Sequence, residues 1–308
     1  MTGSGGCHST EPGAPMRCAF IDTSLWPAQE IGAVHEQLAH EIDCPAAGFI
    51  LHTCQRVEVY TLTGHAALPG PAGAVVGHAA VARRLTEIAA GVRSRVLGER
   101  FVLHQVAAAG QRTNDHRWIE VVEGAVRVAA ALRGDYRLDA VLDYPAAALR
   151  LLTEHRCSRP RWLVVVGGGM LARAIAAHAT GRYSHVVLVT RCPKQARRRL
   201  GTLAAGVAVG TAAAAAAMLE TARAQWDAVL ATTRLDESYR GQITALVEGS
   251  GCRSAVDLCA APPRRDCTES YQHMYGRRFA SLIDEQNAAV ADRVELVRAA
   301  IAAVYGED

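Results

Sequence analysis

Lysine is almost absent from this sequence: of 33 lysines and arginines in 308 residues, Lys194 alone is a lysine. A Schiff-base mechanism is thereby excluded everywhere except at that position, and the basic character, net +3, rests on arginine. No secretory leader is legible, and the nine cysteines are scattered rather than paired, so a reducing, cytoplasmic setting is expected in place of a disulfide framework. Cys252, Cys259 and Cys267 are too widely spaced for a zinc site and read as small buried hydrophobes. No metal is expected. The uncharged stretch 200–219 approaches the ~20 residues of a membrane span, but Gly201, Gly206 and Gly210 break an alanine-dominated run into turn, short strand and helix. There is no dense arginine patch with interleaved aromatics. The nearest to one is RRLTEIAAGVRSR, with Arg83, Arg84, Arg93 and Arg95, which a solvated helix face also explains.

What is present divides in two. Residues 1–15, rich in Gly, Ser and Pro, read as disordered. From 16 to 156 strands mix with helices in an α+β unit: RCAFID and AGFILHTCQRVEVYTL read as strands separated by a helix around Ala28 to Ile42, and 78–133 reads as mostly helical. From 157 to 280 the texture is that of a parallel, doubly wound Rossmann-type domain. The apolar strand Trp162–Val166 leads into glycines and a helix, and HVVLVTR, GVAVG, WDAVLATT and SAVDLCA follow at strand-and-helix intervals. From 281 to 308 a C-terminal helix carries Val290, Val294, Val297, Ile301 and Val304 as one apolar stripe, suited to docking on its own domain or on a second copy.

Gly167, Gly168 and Gly169 stand at a strand-to-helix turn, with Ala172 at the position of a fingerprint's third glycine, as a pyrophosphate-binding turn requires. No acidic residue ends the next strand. Arg191 and Lys194 follow it instead, which favours a 2′-phosphate and hence NADPH. In LHTCQRVEVY, read as one alternating strand, Cys54 shares a face with His52, Arg56, Glu58 and Tyr60. Neighbouring positive charge makes a thiol nucleophilic. A thiolate beside a nicotinamide domain suggests acyl transfer to sulfur followed by hydride reduction to an aldehyde.

Thr53-Cys54-Gln55-Arg56 with Glu58 and Tyr60 resembles the S-T-C-N-R-x-E-x-Y signature of glutamyl-tRNA reductases, the first enzymes of C5 tetrapyrrole (porphyrin) biosynthesis. GVRSRVLGERFVLHQV is similar to that family's G-L-D-S-x-V-L-G-E-x-Q-I-L-G-Q-V segment. VVVGGGMLA, TRC and AVDLCAAP look like its V-I-G-A-G-x-M-G, N-R-T and I-D-L-A-x-P. The resemblance implies an NADPH-dependent oxidoreductase that takes an aminoacyl-tRNA substrate, forms a thioester on Cys54 and releases an amino aldehyde to a downstream aldehyde-using enzyme. It further implies substrate contacts from Thr53, Arg56, Glu58, Ser94, Glu99 and Gln105. Cofactor contacts would come from Gly167, Gly168, Gly169, Met170, Leu171, Thr190, Arg191, Lys194, Thr232 and Thr233.

The departures from the family pattern matter as much. Thr23 stands where the family's G-x-N-H-K-T-A-P has histidine, Trp26 replaces a small residue, and Arg84 occupies a second expected histidine. The family's long spinal helix and dimerisation domain have no counterpart beyond the short stripe. Two further expectations follow. His52, sharing a strand face with Cys54, supplies the missing proton handling, and Arg84 contacts tRNA phosphates or a substrate carboxylate. A tRNA-independent acyl-thioester oxidoreductase and a non-catalytic NADPH-binding paralogue are the competing readings.

Overall fold

A computed structural model describes residues 15–27, 30–31, 34, 48–53, 55–62, 68, 72–139, 143–153, 162–232, 237–249, 251–259 and 270–306. The expected disordered N-terminus, and most of the helix expected around 28–42, lie outside these residues. The chain divides into two compact units, Met1–Asp139 with Val290–Asp308, and Ala140–Ala289.

The first unit is built on an antiparallel sheet of β1 (Arg17–Asp22), β2 (Gly48–Thr53), β3 (Arg56–Thr61) and β4 (Gly73–Val76), in the order β2-β3-β1-β4. The single long strand expected over 47–62 is instead the hairpin β2–β3, with Thr53 opposite Arg56 and His52 opposite Val57. Opposed residues in an antiparallel pair share a face. One face therefore carries Phe49, Leu51 and Thr53 beside Tyr60, Glu58 and Arg56, and beside Cys18, Phe20 and Asp22 of β1. Alternation ran through the connection because neither Cys54 nor Gln55 is a turn-forming residue of the Gly or Asn type.

That face is covered by α1 (His78–Ala90), α2 (Phe101–Gly110) and α3 (His116–Asp135). Asp115 caps α3 by accepting from the Arg117 N–H at 3.0 Å. Phe49 and Tyr60 stack at 4.4 Å, and Trp118 of α3 meets both edge-on at 5.5 and 5.8 Å, which fixes the helix on the sheet. Val290, Val294, Val297 and Ile301, in the later half of α9 (Arg277–Tyr305), are buried in this same core. The stripe expected to dock at home or on a second copy thus docks at home; only Val304, 55% exposed, is left outside.

The second unit is a six-stranded parallel sheet of β5 (Trp162–Val166), β6 (His185–Val189), β7 (Val207–Gly210), β8 (Trp226–Leu230), β9 (Cys252–Asp257) and β10 (Tyr271–His273). From one edge to the other the order is β7-β6-β5-β8-β9-β10, that of a dinucleotide-binding sheet whose direction of winding reverses beside its first strand. The helices α4 (Tyr144–Thr153), α5 (Met170–Ala179), α6 (Pro193–Leu200), α7 (Ala212–Thr221) and α8 (Glu237–Glu248) belong to this unit. Because α4 packs on α5 and β9, the division falls at 139 and 140 rather than at 156 and 157. The uncharged stretch 200–219 becomes a 3-10 turn, β7 and most of α7. Among the described residues, no helix is long and apolar enough to cross a membrane.

Candidate functional site

In the first unit, the two motifs about 40 residues apart in sequence meet at the β2–β3 connection. Gln55 accepts from the Arg95 N–H at 2.8 Å through its side-chain oxygen, and the Arg56 guanidinium donates to the Arg93 carbonyl. The 91–99 loop, which carries Ser94 and Glu99, is thereby tied to the hairpin. Gly91 and Gly98 take left-handed backbone, at φ 80° and 76°, that side chains resist. Arg133 of α3 clamps the loop from below, donating to the carbonyls of Ala90, Gly98 and Glu99 at 2.8 to 2.9 Å. Burial holds its pKa below the ordinary arginine value. Cys54 itself lies outside the described residues, but its neighbours on both sides are placed.

Behind the hairpin lies a buried ionic hub. Glu58 is fully buried and accepts from the Tyr60 hydroxyl, from the Cys18 thiol at 3.6 Å and from Arg84 at 2.8 and 3.2 Å. Arg84 also reaches Asp22 at 2.7 Å and lies over the Phe20 ring at 3.4 Å from its centroid. Burial alone would lower the Arg84 pKa; the Glu58 charge and hydrogen bonds more than reverse this, so it stays a cation. Asp22 shows the mirror case: burial pushes its carboxyl up, while hydrogen bonds from Ser24 and Arg84 hold it below its usual value. Burial, then Glu58, raises the Cys18 thiol well above the ordinary range, so this cysteine is no nucleophile.

Two expectations are corrected here. Arg84 is only 4% exposed and is saturated by Asp22 and Glu58, so it does not offer itself to a phosphate or substrate carboxylate. His52, opposite Val57, faces away from Arg56 and Glu58. The rule that i and i+2 share a strand face holds only within β2, which ends at Thr53, so it no longer relates His52 to position 54. Arg56 is the better-placed cation. It is 2% exposed, and its Nη1 lies 3.6 Å from Glu58 and makes no hydrogen bond among the described residues. Gln105, on α2, likewise keeps a buried side-chain oxygen without a hydrogen bond.

An open cleft of about 350 Å³ adjoins this region, lined by Asp22, Thr23, Ser24, Glu87 and the arginines Arg83, Arg93 and Arg298. Sequence reasoning missed Asp22, Arg133 and Arg298. Asp22 stands beside Thr23 in the altered G-x-N-H-K-T-A-P segment, which is informative in sequence only for its departures, Arg133 stands in no recognisable motif, and Arg298 comes from α9, some two hundred residues along the chain from its neighbours.

In the second unit, Gly167, Gly168 and Gly169 occupy the turn from β5 to α5. Gly167 has φ 136°, and a Cβ there would meet the Ala231 carbonyl oxygen at 2.3 Å; at Gly168 it would meet the Thr190 hydroxyl at 2.7 Å. At Gly169 a Cβ would meet nothing within 4 Å, and this residue caps α5 without any side-chain hydrogen bond. The first two glycines are needed by the protein, whereas the third leaves open space at an uncapped helix N-terminus, which fits a pyrophosphate. Met170 and Leu171 begin the helix, and buried Ala172 packs against the turn. After β6, Thr190 is buried, Arg191 is exposed with its guanidinium 5.4 Å from the centroid of the Tyr239 ring, and Lys194 is exposed. Thr232 follows β8 as expected; Thr233 lies outside the described residues.

Residues 18–133 match the model of the glutamyl-tRNAGlu reductase N-terminal domain. Protein nfe2 of Rhizobium meliloti is 28% identical over 269 residues, covering 82% of this chain and 86% of that one. A glutamyl-tRNA reductase of Halobacterium salinarum is 34% identical over 169 residues, 49% of this chain but 39% of the relative. That of Natronomonas pharaonis is 27% identical and covers 92% of this chain and 70% of its own. With both sequence motifs of the N-terminal domain brought to one hairpin connection, residues 18–133 match a glutamyl-tRNA reductase N-terminal domain, and the chain is similar to divergent glutamyl-tRNA reductases.

Proposed function

We propose that the protein reduces an aminoacyl-tRNA to an amino aldehyde with NADPH, through a thioester on Cys54. The observation that carries this reading is the convergence of the hairpin connection with the 91–99 loop, tied by Gln55 to Arg95 and by Arg56 to Arg93. Cys54 attacks the ester carbonyl, a carbon–sulfur bond forms, and the tRNA 3′-oxygen leaves with a proton. Arg56, whose buried Nη1 has no hydrogen bond among the described residues, holds a substrate carboxylate. Thr53, Ser94, Glu99 and Gln105 are the further residues assigned to the substrate on this reading.

The fit of the glycine turn to a pyrophosphate, with Arg191 and Lys194 in place of an acidic residue after β6, supports NADPH as cofactor. When bound, NADPH supplies the hydride that converts the thioester to an aldehyde as the Cys54 thiolate leaves. The aldehyde is reactive, which favours a downstream enzyme that consumes it.

A second reading is favoured by Thr23 and Arg84, which leave both expected histidine positions without a base, and by a whole-chain relative whose name states no reaction. On that reading the protein binds NADPH without reducing a charged tRNA, or acts on an acyl thioester that needs no tRNA. Incubation with mixed charged tRNAs and NADPH, with aldehydes trapped, separates the cases. Aldehyde that depends on Cys54 upholds the first reading and names the amino acid; NADPH binding without aldehyde upholds the second.

A further inference from the structure

We infer that the cleft beside the hairpin is a phosphate subsite, formed by Arg83 of α1 and Arg93 of the 91–99 loop and completed by Arg298 of the C-terminal helix. Three arginines line it against two carboxylates, Asp22 and Glu87, and neither carboxylate has charge to spare. Glu87 is shared by Arg83 at 3.2 Å and Arg93 at 2.5 Å. Asp22 is taken by buried Arg84, which sits in turn on Glu58. Arg298 is itself paired with exposed Glu295. With Arg56, Arg84 and Glu58 of the hub behind the cleft included, five arginines therefore face four carboxylates; the surplus is one positive charge, and an anion is the matching ligand.

The arginines are held in place. Arg298 donates to the Val92 carbonyl at 2.9 Å and to exposed Glu295 at 2.6 Å, and Arg83 donates to the Gly306 carbonyl at 3.5 Å. Among the described residues the side chain of Arg93, 41% exposed, is bonded through its Nε to Glu87, and its two terminal nitrogens face the ligand. A carboxylate is satisfied by one planar fork, while guanidinium groups from three segments suit a tetrahedral oxyanion with several oxygens. The position suits an ester of that anion. The Arg93 carbonyl takes the Arg56 hydrogen bond, so the residue whose side chain lines the cleft is tied through its backbone to the hairpin that carries Arg56.

The phosphate chemistry stands on this geometry alone; its source, the 3′-terminal nucleotides of a polynucleotide rather than a free nucleotide, rests on the reading proposed above. The test is fluorescence anisotropy of the full chain with a labelled CCA trinucleotide, with AMP and inorganic phosphate as competitors, over a range of salt concentrations. Arg298→Ala and Arg93→Gln are each expected to weaken the trinucleotide about tenfold and to reduce the salt slope by about one. Arg127→Ala, at an exposed position on α3 away from the cleft, leaves both unchanged. Should Arg298→Ala unfold, Arg93→Gln, which keeps a polar side chain of similar length, carries the test alone.

Unchanged affinity and slope in the arginine variants, or no binding of any probe, overturns the inference. Competition by AMP or phosphate equal to that of the trinucleotide keeps the subsite and overturns the polynucleotide source. Trinucleotide binding without aldehyde formation overturns the reductase reading and leaves the subsite standing; aldehyde formation unaffected by either arginine substitution does the reverse.

Discussion

The two units carry their chemistry in opposite ways. In the second unit, the proposed nucleotide unit, the candidate groups are mostly backbone atoms at one turn, so a short run of glycines describes most of the candidate site. In the substrate unit they are side chains from a hairpin, a loop, a helix and the distant end of α9, held by ion pairs that no local pattern announces. A site made of backbone is legible in sequence; a site made of cross-element charges has to be seen folded.

Breaking the charge hub should therefore have the largest effect on stability. Arg84→Ala strands Glu58 and Asp22 in the core, and removing one partner of such a buried set costs about 3–5 kcal/mol. Urea unfolding reads the loss, and a change below about 1 kcal/mol would contradict the hub. The glycine turn gives a graded contrast. Gly167→Ala forces a side chain to within 2.3 Å of the Ala231 oxygen at φ 136°, for roughly 1–3 kcal/mol or more of destabilisation. Gly169→Ala, with open space around it and φ −76°, should leave the melting temperature near wild type while weakening NADPH binding. Equal thermal effects of the two would break the distinction between the glycine the fold needs and the one the ligand needs.

The strands of the nucleotide unit were readable because buried parallel strands are continuous apolar runs closed by turn residues. The exception is β10, Tyr271–His273, three residues without a branched apolar side chain. The substrate unit misled in one place with wide consequences. Alternation from Leu51 to Tyr60 continues through a two-residue connection, so a hairpin looked like a strand and His52 seemed to stand with Arg56 and Glu58. Arg84 looked like a free cation because its partners, at positions 22 and 58, come from two other elements. The α9 stripe was readable as a stripe, but which surface it covers was not, since a repeat of valines fits any apolar face.

Smaller effects test the hub from its edges. The folded Asp22 carboxyl titrates below its unfolded value, so its contribution is present above the unfolded pKa of about 3.9 and is lost as pH falls through the lower folded value. The stability gap between wild type and Asp22→Asn should accordingly narrow between about pH 5 and pH 2; a gap independent of pH there would deny Asp22 its charge. Cys18, its thiol raised by burial and by Glu58, should resist alkylation in the native protein while exposed Cys192 reacts. Modification of Cys18 before unfolding would show the hub to be open.

The central claim is a thioester at the hairpin connection, and mass spectrometry of the peptide that contains Cys54 tests it most directly. Mixed with charged tRNA in the absence of NADPH and quenched in acid, the protein should carry one aminoacyl group on Cys54, and addition of NADPH should discharge it as aldehyde. No adduct on Cys54, or an adduct that NADPH leaves in place, would contradict the account.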